Sequence, residues 1–370
     1  MSDNENRIVI TDADLNSAKV VESVRAMQEA AAFTTVRSVG APAPKNAGGM
    51  SILILTGAGI LGGLLAFGIQ KIFLEGLFPD ISVKWADIFF TLILAFFIGT
   101  TVALIDAGTT RIASKIGLAA AIAVPVSGVT GFAIGYITDK FWQSQMTRIL
   151  ADAYQRMNNG ESEDIVYQSI NNAKHLPRGL SWMMVGIAAG LTVGVATQSL
   201  KRTGLTVAGG AVGGFIGGFI FDFFANSKTG PAWVPQIVGI TITGLLIGLS
   251  MAVLEQAART QWIEIVEGGM AGKQFILYKS DITIGSSPTA DITLIKDPAI
   301  APIHARIFAA AGRSQIESLD PTRPISVNGT VGMRIQLEDS VYITIGSTQV
   351  LFREKAGASK TVTGNVGRLS

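Results

Sequence analysis

Few side chains in this sequence have the chemistry needed for catalysis. There is no cysteine, so the chain offers no thiol nucleophile, disulfide or thiolate metal site. Its two histidines, His175 and His304, are too far apart in sequence to predict a metal cluster by themselves. No phosphate loop with a lysine, nucleophile elbow or carboxylate pair beside a histidine is present. The sequence therefore predicts a protein that is not an enzyme and needs no metal and no cofactor.

One stretch instead has the residue types of a binding loop. It reads TIGSSPTADITLIKDPAIAPIHARI, spans 283–307, and contains Ser286, Ala301 and His304. Hydroxyl and imidazole groups there can orient or bind a polar ligand. From Trp262 onward the sequence alternates apolar and polar residues in short runs separated by turn residues. This pattern is typical of a small β-sandwich of about 90 residues, which would hold the loop.

The C-terminal region resembles a forkhead-associated (FHA) domain, a family that binds phosphothreonine peptides through loops at one end of a β-sandwich. Four segments carry the resemblance, in the family's order and spacing. They are ITIGSS at 282–287, IAPIHARI at 300–307, ISVNGT at 325–330 and IQLEDSVYITIG at 335–346. The family has Ile-Gly-Arg in the first, Ser-Arg-x-His-Ala in the second and Ser-x-Asn-Gly-Thr in the third. The resemblance implies an all-β, non-catalytic binding module.

The residues that hold phosphate in that family are replaced in this chain. The family's arginine corresponds to Ser286, its loop serine to Ala301, and the arginine after that serine to Pro302. Charge-assisted hydrogen bonds contribute about 1.5–3 kcal/mol each, so phosphate affinity should be largely lost. We therefore expect the loops to bind a cytoplasmic protein partner without phosphate.

Two sets of residues define this expected site. The resemblance implies that the surviving family residues keep the loops in shape, and together with the replaced positions they form the expected partner-binding loops: Gly285, Ser286, Ala301, His304, Asn328 and Gly329. The alternative is that a nearby cation replaces the lost arginine and the partner is phosphorylated. The candidates for that role are Lys296, Arg306 and Arg323.

The rest of the chain is too apolar for a soluble protein of this size. Mean hydropathy is +0.43 and 15% of residues are charged. Six apolar runs of about 20 residues are long enough to cross a bilayer as helices. They are roughly 51–74, 87–106, 113–137, 181–199, 204–225 and 233–254. The predicted fold class is a multi-pass α-helical membrane domain followed by an all-β FHA-like sandwich.

The basic residues of the loops predict the orientation. Arg111 and Lys115 follow the second run and Lys201 and Arg202 follow the fourth, whereas the first and fifth loops hold single lysines. Positive residues concentrate on the cytoplasmic side of a membrane, so both termini are expected in the cytoplasm of a cell with this protein in its inner (cytoplasmic) membrane. The segment 138–180 has balanced charge and is a weak indicator; we place it outside.

These features predict four regions. Residues 1–48 form a cytoplasmic arm with a short amphipathic helix and a linker, and 49–256 form the six-helix domain. Residues 262–355 form the FHA-like sandwich, and 356–370 form a disordered tail.

An internal repeat is visible in the membrane region. TGFAIGYITDKF at 130–141 and GGFIGGFIFDFF at 213–224 share their glycines, a phenylalanine and an aspartate at one fixed offset. We interpret the six helices as three tandem hairpins, each with a glycine-rich first helix.

Small residues at four-residue spacing predict close helix packing, because they let helix backbones approach in lipid. The glycines with this spacing are Gly131, Gly135, Gly214, Gly218, Gly244 and Gly248. We expect them to support a homo-oligomer as well as the fold.

The ionisable residues of the runs all fall near predicted helix ends, which counts against a pump. They are Lys71, Asp106, Asp139, Asp222 and Glu255. The predicted function is a membrane scaffold in signalling that contacts lipid and protein but no nucleic acid. The alternative is a small channel or transporter that its FHA-like domain regulates.

Overall fold

The computed structural model describes residues 47–225, 231, 233–310 and 312–355. The amphipathic helix expected in the N-terminal arm and the tail 356–370 lie outside the described residues. Asp222 lies in a helix, but its side chain is likewise outside the description.

Six long helices form the membrane part, and each contains an apolar stretch that can cross a bilayer. Helix α1 continues into a π-helical segment, Lys71–Leu77. The helices are α1 (Ala47–Gln70), α2 (Val83–Gly108), α3 (Ala113–Asn158), α4 (Glu163–Ala196), α5 (Leu200–Ala225) and α6 (Trp233–Ala258). The predicted architecture of six apolar helices followed by a β-sandwich is confirmed.

Two of the helices are much longer than the sequence predicted. Helix α3 has 46 residues and α4 has 34, so the segment 138–180 is a helical hairpin around residues 159–162 and not a loop. At 1.5 Å per residue α3 is about 69 Å long, whereas a hydrocarbon core is about 30 Å thick. The apolar runs end near 137 and begin again near 181, so hydropathy alone missed the polar helical turns that project beyond the bilayer. We had expected Asp139 near a helix end. It consequently lies inside α3 instead.

The six helices pack as a closed ring. Each helix packs along the next one in sequence, α6 packs along α1, and α2 also contacts α4. The buried centre of this ring is lined by small and branched apolar side chains such as Ile98, Ala189 and Ile247.

Glycines bring neighbouring helices of the ring into backbone contact. A Cβ atom on Gly135 would lie 2.7 Å from the carbonyl oxygen of Ile88 on α2, and one on Gly214 would lie 2.3 Å from that of Trp182 on α4. A Cβ atom on Gly244 would lie 2.3 Å from the carbonyl oxygen of Gly59 on α1. No side chain fits in such gaps, so glycine is required at these positions.

All six glycines singled out in the sequence face other helices of the same chain. Gly131 packs on Leu92, Gly218 on Trp182, and Gly248 on Leu55. The backbone contacts that these six glycines allow are made within one chain, and the expected homo-oligomer stays a prediction. Self-association would have to use other surfaces.

The C-terminal part is a sandwich of two sheets. The strands are β1 (Gln261–Glu267), β2 (Gln274–Ile276), β3 (Asp281–Gly285), β4 (Ile292–Thr293), β5 (Ala305–Ala310), β6 (Arg313–Ser318), β7 (Ile325–Val327), β8 (Thr330–Gly332), β9 (Arg334–Gln336), β10 (Val341–Ile345) and β11 (Thr348–Glu354). One sheet has the order β2-β1-β11-β10-β7-β8 and the other β4-β3-β5-β6-β9. Their facing sides bury a core of isoleucine, leucine and valine with Phe352.

The sandwich follows the membrane part with almost no linker. Helix α6 ends at Ala258 and β1 begins at Gln261. Just after the last strand, which is the antiparallel neighbour of β1, the Lys355 ammonium donates a hydrogen bond of 2.9 Å to the carbonyl of Ala257. The first and last strands therefore hold the sandwich directly against the end of α6.

The glycine contacts lead to a prediction with a control in the same membrane domain. Gly214→Ala should lower the melting temperature of the detergent-solubilised protein, because the new methyl group collides with the α4 backbone and overpacking costs about 1–3 kcal/mol. Gly128→Ala should leave it unchanged or raise it slightly, because a Cβ atom at Gly128 meets nothing within 4 Å and alanine favours helix. Equal melting temperatures for the two variants would contradict the packing of α5 on α4.

Candidate partner-binding loops and the interface with the membrane helices

The β4–β5 loop lies directly on the end of β3. A Cβ atom on Gly285, the last residue of β3, would be 2.1 Å from the carbonyl oxygen of Pro302. Only glycine allows the two segments to approach this closely. Gly285 thus has an architectural role, as the resemblance implied.

Ser286 closes the loops onto each other. Its backbone amide donates to the carbonyl of Ala301 at 2.9 Å, and its hydroxyl donates to the carbonyl of Ile300 at 3.0 Å. The next amide, of Ser287, donates to the carbonyl of Pro302 at 3.0 Å. These donors are therefore already used within the protein and none of them is a positive charge, so the arrangement lacks what binds a phosphate dianion tightly.

His304 holds the β4–β5 loop from inside. It is 1% exposed, and its Nδ1 accepts a hydrogen bond of 3.2 Å from the amide of Ala301. Burial lowers the pKa of His304, and a contact with the carbonyl of Arg323 offsets part of that shift. The imidazole is thus neutral at pH 7. His304 braces the loop, and Ala301, itself buried, lies beneath the loop surface.

Asn328 and Gly329 form the turn between β7 and β8. Both have positive φ angles, +48° and +84°, as a two-residue hairpin turn of this kind requires. The Asn328 side-chain oxygen accepts a hydrogen bond of 2.9 Å from the amide of Tyr342 on β10. This bond ties the exposed turn to the neighbouring strand.

The three candidate substitute cations are placed differently. Arg306 forms ion pairs with Glu317 at 2.8 Å and with Asp281 at 3.4 Å. Lys296 is exposed next to the β1–β2 loop, where it lies against Gly269. Arg323, from the β6–β7 loop, donates a hydrogen bond of 3.2 Å to the carbonyl of Ala299 in the β4–β5 loop.

An exposed apolar patch lies beside these loops. Leu319, Val331 and Met333 are 42%, 46% and 40% exposed. They are brought together because the amide of Ser318 bonds to the carbonyl of Met333 at 2.7 Å, next to the β7–β8 hairpin. Exposed apolar side chains grouped at loop ends are typical of protein interaction sites. We call these three residues the apolar patch.

Sequence reasoning missed Asp297, which organises the far side of the β4–β5 loop. Its carboxylate accepts hydrogen bonds from the amides of Ala299 and Ser347 and from the hydroxyl of Thr348, at 2.8–3.0 Å. Burial alone would raise the pKa of Asp297, but the bonds from Ser347 and Thr348 lower it below its ordinary value. An Asp-Pro pair in a predicted loop was the available signal.

The β3–β4 loop faces the membrane helices. Lys115, in the first turn of α3, donates hydrogen bonds to the carbonyls of Ala290 and Asp291 at 2.8 and 2.9 Å. Lys273 of the sandwich donates in turn to the carbonyl of Thr109, at the end of α2. Burial lowers the pKa of Lys273 to about 8; nearby Asp106 opposes this shift, and Arg111 and Lys115 add to it. The β3–β4 loop is therefore engaged within this chain.

A partly buried ion-pair cluster joins three helices to the sandwich. Arg202 of α5 is 2.8 Å from Asp106 of α2 and 2.9 Å from Glu255 of α6. The hydroxyl of Tyr278 in the sandwich donates to Glu255 at 3.2 Å. Burial raises the pKa of Tyr278, and Glu255 raises it further, so the phenol keeps its proton. We call these four residues the Arg202 cluster.

The interface encloses a cavity of about 580 Å³. It lies between the Arg202 cluster, Lys115, and the sandwich residues from Lys273 to Lys279. The sequence had pointed to Lys115 and Arg202 only as orientation signals, and to Asp106 and Glu255 only as residues near helix ends. Their recurrence at three helix ends on one side of the membrane was the signal for a common cluster.

The sequence comparisons agree with this description of the sandwich. Residues 264–356 match the profile of a family described as the inner membrane component of T3SS, cytoplasmic domain. The C-terminal domain is FHA-like, and the FHA-like domain is a non-catalytic binding module. The family match includes none of the membrane helices, and no curated protein sequence matches the chain.

Solved structures also resemble part of the chain. The FHA domain of the CT664 protein from Chlamydia trachomatis is 25% identical, over 26% of this chain and 99% of that one, with a TM-score of 0.24. The cytoplasmic domain of the T3SS sorting platform protein PscD from P. aeruginosa is 20% identical, over 30% and 99%, with a TM-score of 0.24. The FhaA FHA domain, solved in complex with the intracellular domain of Rv3910, is 21% identical, over 25% and 100%, with a TM-score of 0.23.

The Arg202 cluster predicts a large effect of a single substitution. Arg202→Met should lower the melting temperature of the purified protein strongly, because it leaves Asp106 and Glu255 without their cation and breaking a buried ion pair costs about 3–5 kcal/mol. Arg148→Met, at an exposed position of α3, is the matched control and should melt like the unaltered protein. Similar melting of both variants would show that the cluster is not a stabilising contact.

Proposed function

We propose that this protein is a membrane-embedded scaffold whose FHA-like domain recruits a cytoplasmic protein partner without needing a phosphate. The observation that carries the proposal is the internal closure of the loops. The amide and hydroxyl of Ser286 both bond to carbonyls of the facing loop, and the family's arginine and serine are absent. The site keeps a folded binding surface but has lost the groups that make binding depend on phosphate.

Two loops and the apolar patch form the proposed recruitment surface. The β3–β4 loop is held by Lys115, so the partner would contact the β4–β5 and β6–β7 loops and the Asn328–Gly329 turn. Leu319 and Met333 supply apolar area there, and Arg323 supplies a positive charge at the edge. Apolar contacts surrounded by polar groups are the usual composition of a protein interface.

The protein is a multi-pass membrane protein with a cytoplasmic FHA-like domain. The family description supports an inner membrane location, and we propose that both termini lie in the cytoplasm. On that side the loops that contact the sandwich carry Arg111, Lys115, Lys201 and Arg202, in agreement with the positive-inside bias.

We further propose that the membrane domain is built from three repeated hairpins. The glycine faces of α1, α3 and α5 pack on α6, α2 and α4 respectively, so every odd helix uses glycines against the helix before it in the ring. This equivalence supports the repeat inferred from the sequence. The role proposed for the ring is a rigid anchor.

A second candidate function is a small channel or transporter that the FHA-like domain regulates. The observation in its favour is the direct bonding of the sandwich to helix ends through Tyr278 and Lys273. A partner that moved the sandwich would act on α2 and α6 without an intervening linker.

Peptide titration tests the independence from phosphate. The purified protein should show no preference for phosphothreonine peptides over their unmodified forms. The double substitution Ser286→Arg and Ala301→Ser should create a phosphate-dependent preference, because Gly285, His304 and Asn328 still hold the loops. Micromolar binding of a phosphopeptide by the unaltered protein would contradict the proposal, and its loss in Arg323→Ala would identify the substitute cation.

Co-purification from native membranes tests recruitment itself. A protein that co-purifies with the unaltered chain should be lost, by about tenfold or more, with Leu319→Glu, because a charge in the apolar patch removes apolar contact area. The matched control is Ala309→Glu, at an exposed position at the other end of β5, which should retain the partner. Loss of the partner after phosphatase treatment would contradict phosphate-independent recruitment.

A further inference from the structure

A second polar site lies on the other side of the membrane, between α2, α3 and α4. It is a pocket of about 80 Å³ that Asp87, Thr138, Asp139, Arg178 and Ser181 line together with aromatic side chains. Asp87 is near the start of α2, whereas Asp106, in the Arg202 cluster, is near its end. The pocket is therefore at the end of the ring opposite to the sandwich.

Two buried oxygen atoms in this pocket lack a hydrogen-bond partner. Asp139 is 2% exposed, and while its Oδ1 accepts a bond of 2.7 Å from Gln143, its Oδ2 accepts none from the residues that the structure describes. The Oγ of Ser181, which is 5% exposed, is also without a partner among them. Buried polar atoms are nearly always paired, and an unpaired carboxylate oxygen is especially costly. Both atoms thus indicate that something occupies the pocket.

The charges around the pocket do not balance. Asp87, exposed at its mouth, interacts electrostatically with both Asp139 and Arg178. The Arg178 guanidinium lies over the ring of Trp142, 4.4 Å from its centroid. Among the side chains that the structure describes, the two carboxylates outnumber the one arginine, so this described set has a net charge of one negative unit.

The walls of the pocket are apolar and rigid. Trp182 stacks against Phe221 with ring centroids 4.7 Å apart and meets the edge of Phe90 at 6.1 Å. Gly218 packs directly on the Trp182 side chain. Such walls keep the local dielectric constant low, which strengthens the interaction of a buried carboxylate with a cation.

The size and the donor atoms of the pocket restrict its occupant. One water needs about 10–15 Å³ on the same measure of volume, so only a few water-sized species fit. Carboxylate and hydroxyl oxygens are the ligands of hard cations. The described residues contain no group of three or more metal-binding side chains, and one net negative charge matches a monovalent ion better than a divalent one.

We propose that this pocket is a binding site for a small monovalent alkali cation such as Na⁺, with Asp139 Oδ2 and Ser181 Oγ as its protein ligands. Thr138, whose hydroxyl donates to Met184, keeps acceptor lone pairs for the same ion. The cation would satisfy both unpaired oxygens and neutralise the remaining charge. The site is independent of the recruitment role of the sandwich, and it supplies the membrane domain with a ligand of its own.

Thermal unfolding of the full chain in detergent tests this site. Choline chloride keeps the ionic strength constant throughout the titration. The melting temperature, followed by tryptophan fluorescence, should then rise with NaCl concentration and reach a plateau, because a ligand that binds the folded state stabilises it. Asp139→Asn should abolish the response, and Ser181→Ala should shift its midpoint to about tenfold higher Na⁺, since a tenfold change follows from losing a ligand of modest strength. The control is Asp152→Asn. Asp152 lies at an exposed position of the same helix and pairs with Arg156, so this variant should retain the response to Na⁺.

A second measurement covers the case in which Asp139→Asn does not fold. Sodium-23 NMR on the unaltered protein should show line broadening that excess Li⁺ reverses and choline does not. A melting temperature indifferent to Na⁺, Li⁺ and K⁺, or a response that Asp139→Asn leaves intact, would overturn the proposal. Water or a proton would then satisfy the pocket.

Discussion

The partly buried ion pairs of Arg202 are the interaction on which the arrangement of the two domains depends. One guanidinium joins α5 to Asp106 on α2 and to Glu255 on α6, and Glu255 also accepts the hydroxyl of Tyr278 in the sandwich. Removing such charges from water is expensive, so the cluster is stable only when all its members are in place. Three helix ends and the sandwich are thereby held in one geometry. This makes the orientation of the FHA-like domain a property of the membrane ring.

That orientation divides the loops of the sandwich between two tasks. The β3–β4 loop faces the bilayer, where Lys115 holds its carbonyls. The β4–β5 and β6–β7 loops and the apolar patch remain for a partner. A domain that has lost its phosphate anchors can keep such a surface, because the buried His304 and the contact of Gly285 with Pro302 maintain the loops without any ligand. Architecture and phosphate binding are thus separable in this fold.

The ring of helices combines close packing with one polar opening. Glycine contacts such as Gly244 on Gly59 leave no space between neighbouring helices. Between α2, α3 and α4, by contrast, Asp139, Ser181 and Trp182 line a small pocket. Buried polar groups without a hydrogen-bond partner are costly and therefore rare in folded proteins. A scaffold alone does not require them, and this is the physical reason for assigning the ring a ligand.

The sequence by itself determined the elements and the chemistry of the FHA-like loops. Apolar runs long enough to span a bilayer, two-residue alternation after Trp262, and the replacement of an arginine by Ser286 are local properties that can be read without a structure. The alternation could not give the bounds of short strands such as β4, because two residues cannot show a period, and the helical turns of 138–180 were missed because polar helices resemble loops in hydropathy. Tertiary structure alone decided which helix each glycine meets, since small-residue spacing predicts contact but not the partner. Tertiary structure alone also placed Arg202 beside Asp106, and Asp139 in the same pocket as Ser181. Residues more than forty positions apart in sequence meet only because the helices close into a ring.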